Sequence, residues 1–465
     1  MEEKLTKDIM PTSKSLFMPV KKKADSPRPR RVLIEANKLL MPGNDGVKRY
    51  LTELLDSLAM LEQKLFPEWE IDLYVLGGNP IKLRERREEL HRTNTVAGQE
   101  KERIEKKIEA IKKRRPFEVR MLQAKEKVRD SLPGWIYQLL IRAYERLPIR
   151  YLFLLYRKAV TRRENRALAA IFDRYDLIHI PLPQNFHYLQ NVRGKFLLTV
   201  HDLTHKHFPG FHTADNAAQA EEGMQQAMRK NAHILAVSEA TKADVMQEYP
   251  VDADRIHVVY EACNHDQFRP HKGRERLKTV LEKYRLPDCR YFLALSTLEP
   301  RKNLLNTIKA FEALVAECAD ENLALFICGK KGWKTDGLLK KEHVADKNIF
   351  FTGFVAEADL PVLYSHALAL CYVSFYEGFG LPPLEAMACG ATVIYGGNSS
   401  MPEVIGDAGL PADPGDAGDI KTQMKILLQD EKMRVLLSEK ALMRARQFSW
   451  MKAARETLRV YERMM

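Results

Sequence analysis

The sequence predicts an α/β protein with two domains. Apolar strand-like segments alternate with amphipathic helical segments along most of the chain, which is typical of parallel sheets covered by helices. At 465 residues the chain is also too long for a single ordinary hydrophobic core. Residues 264–290 contain two prolines, one glycine and many charges, so we expect the connection between the domains there.

The first domain is predicted to span residues 30–270, after a polar, lysine-rich tail over residues 1–29 that we expect to be disordered. A helix is expected from about Val47, where leucines recur at helical spacing, and Ser238 is placed to cap a helix that starts at Glu239. The predicted strands of this domain are residues 31–36, 71–76, 177–180, 195–200, 233–238 and 256–259.

The second domain is predicted to span residues 285–445, with a helix that begins near Asn303. A last helix follows within residues 446–465, and Ser449 is its expected N-cap. The predicted strands of this domain are residues 291–295, 323–328, 349–351, 368–373 and 392–395.

Residues 81–165 interrupt this alternation and are predicted to form a basic helical insertion in the first domain. They hold 24 Lys and Arg against 12 Asp and Glu, which equals the whole formal net charge of +12. Bulky apolar residues interleave with arginines in the second half, a composition suited to an anionic membrane surface. A solvated helical hairpin packed on the domain explains the same pattern, so both interpretations stay open. Nucleic acid is not expected as a partner, because no binding module is recognisable.

The composition also bears on location. We find no uncharged apolar segment of membrane-spanning length and no signal-peptide pattern at the first residues. The six cysteines show no Cys-x-x-Cys pair and no zinc-type spacing, and several lie in apolar segments, where a reduced thiol behaves as a small hydrophobe. These features predict a cytoplasmic protein, and the insertion would allow a peripheral position on the inner face of the membrane.

The stretch from residue 372 to residue 390 has the pattern of a strand, a glycine turn and a helix. The turn includes Gly378 and Gly380, and the double proline after it suits the first turn of a helix. Such a turn presents backbone N–H groups to a phosphate. Glu377 and Glu385 flank it and could bind hydroxyls at the two ends of a nucleotide-sugar. An ordinary strand–helix turn explains these residues equally well.

Two further groups of polar residues lie where strands end. Arg301 and Lys302 precede a helix of the second domain, and two adjacent cations beside a helix N-terminus suit a diphosphate leaving group, unless they are an exposed loop pair. His201 follows a first-domain strand, where an imidazole could bind a substrate hydroxyl or have a structural role. His205 and His207 come next, but no acidic or cysteine partner is evident nearby, so no metal site is expected.

Missing motifs argue against several enzyme classes. No Gly-x-Gly-x-x-Gly follows the first strand, which argues against a nicotinamide-dependent enzyme. The Gly-x-Ser-x-Gly elbow of serine hydrolases is also absent, which argues against that class. The obvious Asp-x-Asp, at residues 252–254, precedes a strand, so we interpret it as a turn and not as a magnesium–diphosphate site.

Taken together, these motifs resemble those of the retaining glycosyltransferase family 4, over roughly residues 31–76 and 177–465. Their order and spacing make the resemblance specific. The family signatures present are Glu-x7-Glu at Glu377 and Glu385, Glu-Pro-Arg-Lys-Asn-Leu at residues 299–304, and a Ser-x-Pro-Glu-Val segment within residues 398–409.

The sequence departs from the family pattern at three places. Lys48 replaces a small residue in a stretch that otherwise resembles the family's Gly-Ile/Val-Gly-Arg-Tyr. Glu261 and Ala262 stand where Asn-Gly is common. Residues 81–165 are not typical of the family.

The resemblance implies a GT-B fold, in which two Rossmann-like domains with parallel sheets face a central cleft. The N-terminal domain would bind the acceptor, the C-terminal domain would bind the nucleotide-sugar, and the last helix would return to the N-terminal domain. The residues that would contact the donor are Arg301 and Lys302 at the diphosphate, Glu377, Gly378, Phe379, Gly380 and Leu381 at the transferred sugar, Glu385 at the ribose, His201 over the sugar and Gly46 near the phosphate.

The expected function is a retaining, metal-independent transfer of a sugar from a nucleotide-sugar to a glycan or lipid-linked acceptor, in cell-surface polysaccharide or glycolipid synthesis. The Glu-Pro-Arg-Lys-Asn-Leu loop favours a GDP-mannose-type donor. Preorganised cations and N–H dipoles can stabilise the charge on a leaving diphosphate, so neither a cofactor nor a protein nucleophile is expected. The alternatives are another GT-B enzyme, such as a sugar-nucleotide epimerase or a soluble-disaccharide synthase, and a non-catalytic membrane- or partner-binding protein that kept the fold.

Overall fold

The computed structural model describes residues 29–40, 45–64, 69–74, 80–83, 169–189, 192–296, 299–318, 322–329 and 348–465. In this part of the chain thirteen strands form two sheets with helices packed around them, which confirms the predicted α/β class. None of the helices described is long and apolar enough to cross a bilayer. The predicted tail before residue 29, the insertion from residue 84 to residue 165 and the end of the second predicted strand, residues 75 and 76, lie outside the described residues.

The first sheet has seven strands in the spatial order β3-β2-β1-β4-β5-β6-β7. Neighbouring strands run parallel, except that β2 and β3 pair antiparallel at one edge. The strands are β1 (Arg30–Glu35), β2 (Trp69–Tyr74), β3 (Ile81–Lys82), β4 (Leu177–Ile180), β5 (Lys195–Val200), β6 (His233–Ala236) and β7 (Ile256–Val258). Because β5, β6 and β7 are parallel neighbours, the residues that follow them share one edge of the sheet.

The prediction is wrong at the start of the basic insertion. Ile81 and Lys82 form a short edge strand and not a helix, and they pair with Leu73 and Asp72 of β2. Two residues are too few to show the alternation that indicates a strand. The charge-dense pattern after them predicts a helix, and the predicted helix therefore includes them. Leu83, the next residue, is buried, so the chain still contributes to the first-domain core here.

The second sheet has six parallel strands in the order β10-β9-β8-β11-β12-β13. The strands are β8 (Arg290–Leu295), β9 (Leu323–Cys328), β10 (Ile349–Gly353), β11 (Ala369–Tyr372), β12 (Val393–Gly396) and β13 (Gly409–Ala412). β13 is not among the predicted strands, and it contains Pro411. A proline lacks the N–H that a central strand needs, but the edge position of β13 tolerates it.

Twelve α-helices have bounds in the described part of the chain. They are α1 (Gly46–Lys64), α2 (Thr204–His207), α3 (Ala214–Arg229), α4 (Glu239–Glu248), α5 (Arg274–Tyr284), α6 (Leu304–Cys318), α7 (Leu360–His366), α8 (Leu381–Ala388), α9 (Met401–Ile405), α10 (Ala417–Gln429), α11 (Glu431–Ala445) and α12 (Trp450–Met464). Ser238 and Ser449 are N-caps as predicted, since their hydroxyls accept the N–H groups of Thr241 and Lys452. The predicted connection between the domains contains α5, most of whose charged residues face solvent.

The last helix, α12, packs on α1 and against the first sheet. The Tyr461 hydroxyl lies 2.7 Å from Nδ1 of His179 on β4, and the Tyr461 ring contacts Trp69 of β2. Lys195 of β5 donates to the carbonyl oxygen of Met464 at 2.6 Å. These contacts tie the end of the chain to the first sheet. The domain limits at residues 30–270, 285–445 and 446–465 stay predictions.

Candidate active site

The carboxyl-terminal ends of strands from both sheets meet at a cleft. The turn after β11 approaches the end of β5 so closely that a Cβ atom on Gly378 would lie 1.8 Å from the carbonyl oxygen of His201. A cavity of about 180 Å³ lies beside this contact. Among the residues that line it are His201, Asp202 and Val47 from the first domain, and Glu299 and Arg301 from the second.

A cluster of two cations and two carboxylates lies on the second-domain side of the cleft, and two of its members, Arg301 and Glu299, line the cavity. Arg301 and Lys302 lie on a single 3-10 turn, Pro300–Lys302. The Glu377 carboxylate accepts from both of them, at 2.8 Å from Arg301 Nη1 and 2.7 Å from Lys302 Nζ. The other side of the Arg301 guanidinium donates to Glu299 at 2.9 Å. The predicted diphosphate-binding pair and the first signature glutamate therefore form one ionic cluster.

Burial and mutual charge set the ionisation of this cluster. Burial raises the pKa of Glu377, but Arg301 and Lys302 together lower it to about 2. Burial lowers the pKa of Arg301, and the carboxylates of Glu377, Asp202 and Glu299 more than offset this, so the Arg301 pKa lies above its usual value. Burial and the Arg301 charge lower the pKa of Lys302. Glu377 is therefore ionised at neutral pH, and it holds two cations side by side with little contact with water.

The predicted phosphate-facing helix N-terminus has fewer donors than an ordinary helix. Gly380 precedes α8 with φ +104°, a conformation that residues with a side chain rarely adopt. Residues 382 and 383 are prolines and have no N–H, so Leu381 is the one donor among the first three helical residues. A phosphate at this site would have to rely on the N–H groups of the turn and on the cation pair.

His201 lies on the first-domain side of the cavity. Its Nδ1 is 2.9 Å from Oε1 of Glu261, which follows β7. The ring meets the Tyr50 ring edge-on, with centroids 4.8 Å apart. Its Nε2 is buried and has no hydrogen-bond partner among the described residues. The imidazole is therefore fixed on one side and keeps one nitrogen available to a ligand.

Glu385 lies deeper than the other predicted residues, with a side chain that is 1% exposed. It forms an ion pair with Arg49 of α1, and Arg49 also lies 3.2 Å from Glu357. Oε2 of Glu385 is buried and has no hydrogen-bond partner in the described part of the chain. Gly46 begins α1 beside Leu381, which places the start of α1 against the start of α8.

Several residues that form hydrogen bonds between the two domains are not among the predicted site residues. The hydroxyls of Ser238 and Thr241 donate to the carbonyl oxygen of Gly378 at 2.7 and 3.2 Å. The Glu403 carboxylate accepts the first two N–H groups of α4, each at 3.0 Å. The sequence indicates Ser238 only as an N-cap and Glu403 only as part of a family segment, because nothing local shows which helix end a distant carboxylate meets.

The histidines that follow His201 do not assemble a metal site. His205 lies 3.6 Å from Glu221, and His207 lies 3.9 Å from Asp244. Across the described ranges, no group of three His, Cys, Asp or Glu side chains is arranged to hold a metal ion.

Two family models match the chain. The model described as Glycosyl transferases group 1 matches residues 275–444, and the model described as Glycosyltransferase Family 4 matches residues 113–267. The second match begins inside the predicted insertion. The similarity to the family therefore extends into residues 81–165, where the sequence motifs show no resemblance.

Similar proteins and solved structures also point to glycosyltransferases. The O-antigen chain mannosyltransferase B of Escherichia coli is 35% identical over 277 residues, which cover 59% of this chain and 72% of that protein. The serotype-specific mannosyltransferase WbdA of Escherichia coli is 32% identical over 235 residues, which cover 50% of this chain and 29% of that protein. The structure of Anabaena HepE with UDP and glucose superposes with a TM-score of 0.59 at 15% identity, covering 93% of this chain and 99% of that one. At this identity the likeness shows the fold alone, and it confirms the predicted GT-B architecture.

Proposed function

We propose, since this chain belongs to glycosyltransferase family 4, that it transfers mannose from GDP-mannose to a cell-surface glycan acceptor. Two Escherichia coli relatives that are mannosyltransferases, one named for the O-antigen chain and one for serotype, support this sugar and this class of acceptor. The observation that carries the proposal is the cluster of Arg301, Lys302 and Glu377, which lies across the cleft from His201.

The proposed reaction retains the configuration of the sugar. The bond between sugar C1 and the diphosphate oxygen breaks, and its electron pair goes to the diphosphate. The acceptor hydroxyl oxygen bonds to C1 on the same face, and its proton goes to the departing phosphate oxygen. Arg301 and Lys302 stabilise the charge on the leaving group, and their ion pairs with Glu377 hold them in place beforehand. The two cations take the part that a divalent ion has in other sugar transfers, so no metal is required.

The other donor contacts follow the family resemblance. Glu377 and the backbone of residues 378–381 would hold the transferred mannose, and Glu385 would accept from the ribose hydroxyls. Gly46 would lie near the phosphates, and His201 over the sugar. Closure of the first domain over the second would bring the acceptor hydroxyl to C1.

A donor screen tests the proposal. We expect GDP-mannose to raise the melting temperature of the full chain, and UDP-, ADP- and dTDP-glucose to leave it unchanged. With a mannose-terminated acceptor, NMR of the product should show the anomeric configuration of the donor, and EDTA should not lower the rate. If another nucleotide-sugar stabilised the chain and GDP-mannose did not, that nucleotide-sugar would be the donor in place of GDP-mannose. An inverted product or a rate lowered by EDTA would overturn the proposed chemistry. No stabilisation and no transfer with any donor would overturn the function.

We also propose that residues 81–165 contact the anionic inner face of a membrane. Their net positive charge and interleaved apolar residues support this contact. The full chain should co-sediment with vesicles that contain anionic lipid and not with neutral vesicles. Equal recovery with the two kinds of vesicle would contradict the proposal.

A further inference from the structure

We propose that Glu261 is a positioning residue for His201, and that the two side chains act as one carboxylate–imidazole unit on the bound sugar. This inference rests on the proposed function, because it concerns a donor sugar in the cleft. The sequence resemblance offers no role for Glu261, which stands at one of the places where the chain departs from the family pattern.

The fold brings the two residues together from separate strands. His201 follows β5 and Glu261 lies three residues after β7, with β6 between these strands in the sheet. Their side chains meet at 2.9 Å, and they are 14% and 6% exposed. A hydrogen bond to a carboxylate that is shielded from water is stronger than one at the surface. The contact is therefore able to hold the ring in one orientation.

The chemistry of the contact fixes the role of each ring nitrogen. An ionised carboxylate only accepts, so Nδ1 of His201 must carry the hydrogen and donate it to Glu261. In the neutral ring Nε2 is then the acceptor. This nitrogen is buried without a hydrogen-bond partner in the described residues, on a side chain that lines the cavity beside Arg301. Nε2 is thus held ready to accept from a sugar hydroxyl.

The packing around the pair supports positioning over a purely structural role. The Tyr50 ring lies edge-on to the imidazole and restricts its rotation. In the described part of the chain, the Glu261 carboxylate forms its hydrogen bond to His201 and none to another side chain. Burying a carboxylate with so little compensation costs stability. Replacing the charge should therefore not destabilise the fold, although it weakens the hold on His201.

Two substitutions separate these roles. Glu261→Gln keeps an oxygen that can accept from Nδ1, whereas Glu261→Ala removes the acceptor. With GDP-mannose and a mannose-terminated acceptor, we expect Glu261→Ala to lower kcat by about 10- to 100-fold, as when a metal-binding histidine loses the carboxylate that orients it. Glu261→Gln should recover a large part of this loss. Both variants should bind GDP as the wild type does, because GDP lacks the transferred mannose that His201 would contact.

A double variant and a control complete the test. If Glu261 acts through His201, His201→Ala combined with Glu261→Ala should be no slower than His201→Ala alone. Asp254→Asn changes an exposed carboxylate in the turn before β7 and should keep wild-type kcat. Additive losses in the double variant, weakened GDP binding, or a lower melting temperature with no recovery in Glu261→Gln would overturn the inference. A wild type that transfers no sugar contradicts the proposed function itself, whereas an active wild type with unaffected Glu261 variants contradicts this inference alone.

Discussion

Arg301→Ala is expected to lower kcat by about 10²- to 10³-fold, which is the usual cost of removing one donor that stabilises a developing negative charge. Arg301 contacts Glu377 and Glu299, and with Lys302 it supplies the two cations of the ionic cluster beside the cleft. The leaving diphosphate gains charge in the transition state, so the loss should fall mainly on kcat and less on the KM for the donor. Steady-state rates at saturating GDP-mannose measure the effect.

The alanine variant also leaves the buried Glu299 without its cation and Glu377 with Lys302 alone, and an unpaired buried charge destabilises a protein strongly. Arg301→Lys is therefore the informative second variant, because it keeps the charge and loses the planar fork that holds Glu377 and Glu299 together. It should fold and still lose most of its activity. Arg274→Ala is the matched control, since Arg274 forms an exposed pair with Asp288. A wild-type kcat in Arg301→Lys together with a threefold or smaller loss in a folded Arg301→Ala would exclude Arg301 from stabilising the leaving group.

Much of the fold is predictable because local sequence determines it. Most strands inside the two sheets are largely apolar runs, and each overlaps its prediction within a few residues. The exceptions are both at sheet edges. β3 has two residues and no visible period, and β13 carries Pro411, which only an edge strand accepts. Edge strands are short and half exposed, so their sequences carry little of the pattern on which the prediction depends.

For the candidate site, the sequence predicts which residues take part but not how they pair. Arg301, Lys302 and Glu377 belong to recognisable motifs, so their types and order alone suggest a diphosphate site. That they pair with one another depends on where β8 and β11 lie in the sheet. The Glu261–His201 contact and the Arg49–Glu385 contact join residues 60 and 336 positions apart. Such pairs arise from strand order and domain docking, which no local pattern encodes.

Gly378→Ala is expected to lower kcat by at least about 100-fold, because the added Cβ would push the two domains apart. That atom would lie 1.8 Å from the carbonyl oxygen of His201 and 2.8 Å from its carbonyl carbon, and a backbone cannot yield as a flexible side chain does. Gly378 does not adopt a left-handed conformation, so an alanine there strains the contact between the domains and not its own backbone. A displacement of about 1 Å between reacting groups can cost about 100-fold in rate.

The same displacement would break the hydrogen bonds that Ser238 and Thr241 donate to the Gly378 carbonyl oxygen. Small-angle scattering with GDP should therefore show a more open particle for the variant, and calorimetry should show nearly unchanged GDP affinity if the second domain alone holds the nucleotide. Gly210→Ala is the control, because its Cβ would meet no atom within 4 Å. Wild-type kcat in Gly378→Ala would mean that the domains do not close this tightly during transfer. Equal losses of kcat and GDP affinity would mean that the substitution disturbs the donor turn itself. Only low kcat, retained GDP binding and an open particle together assign the effect to closure, and they would make the Gly378–His201 contact the point at which the two domains complete the site.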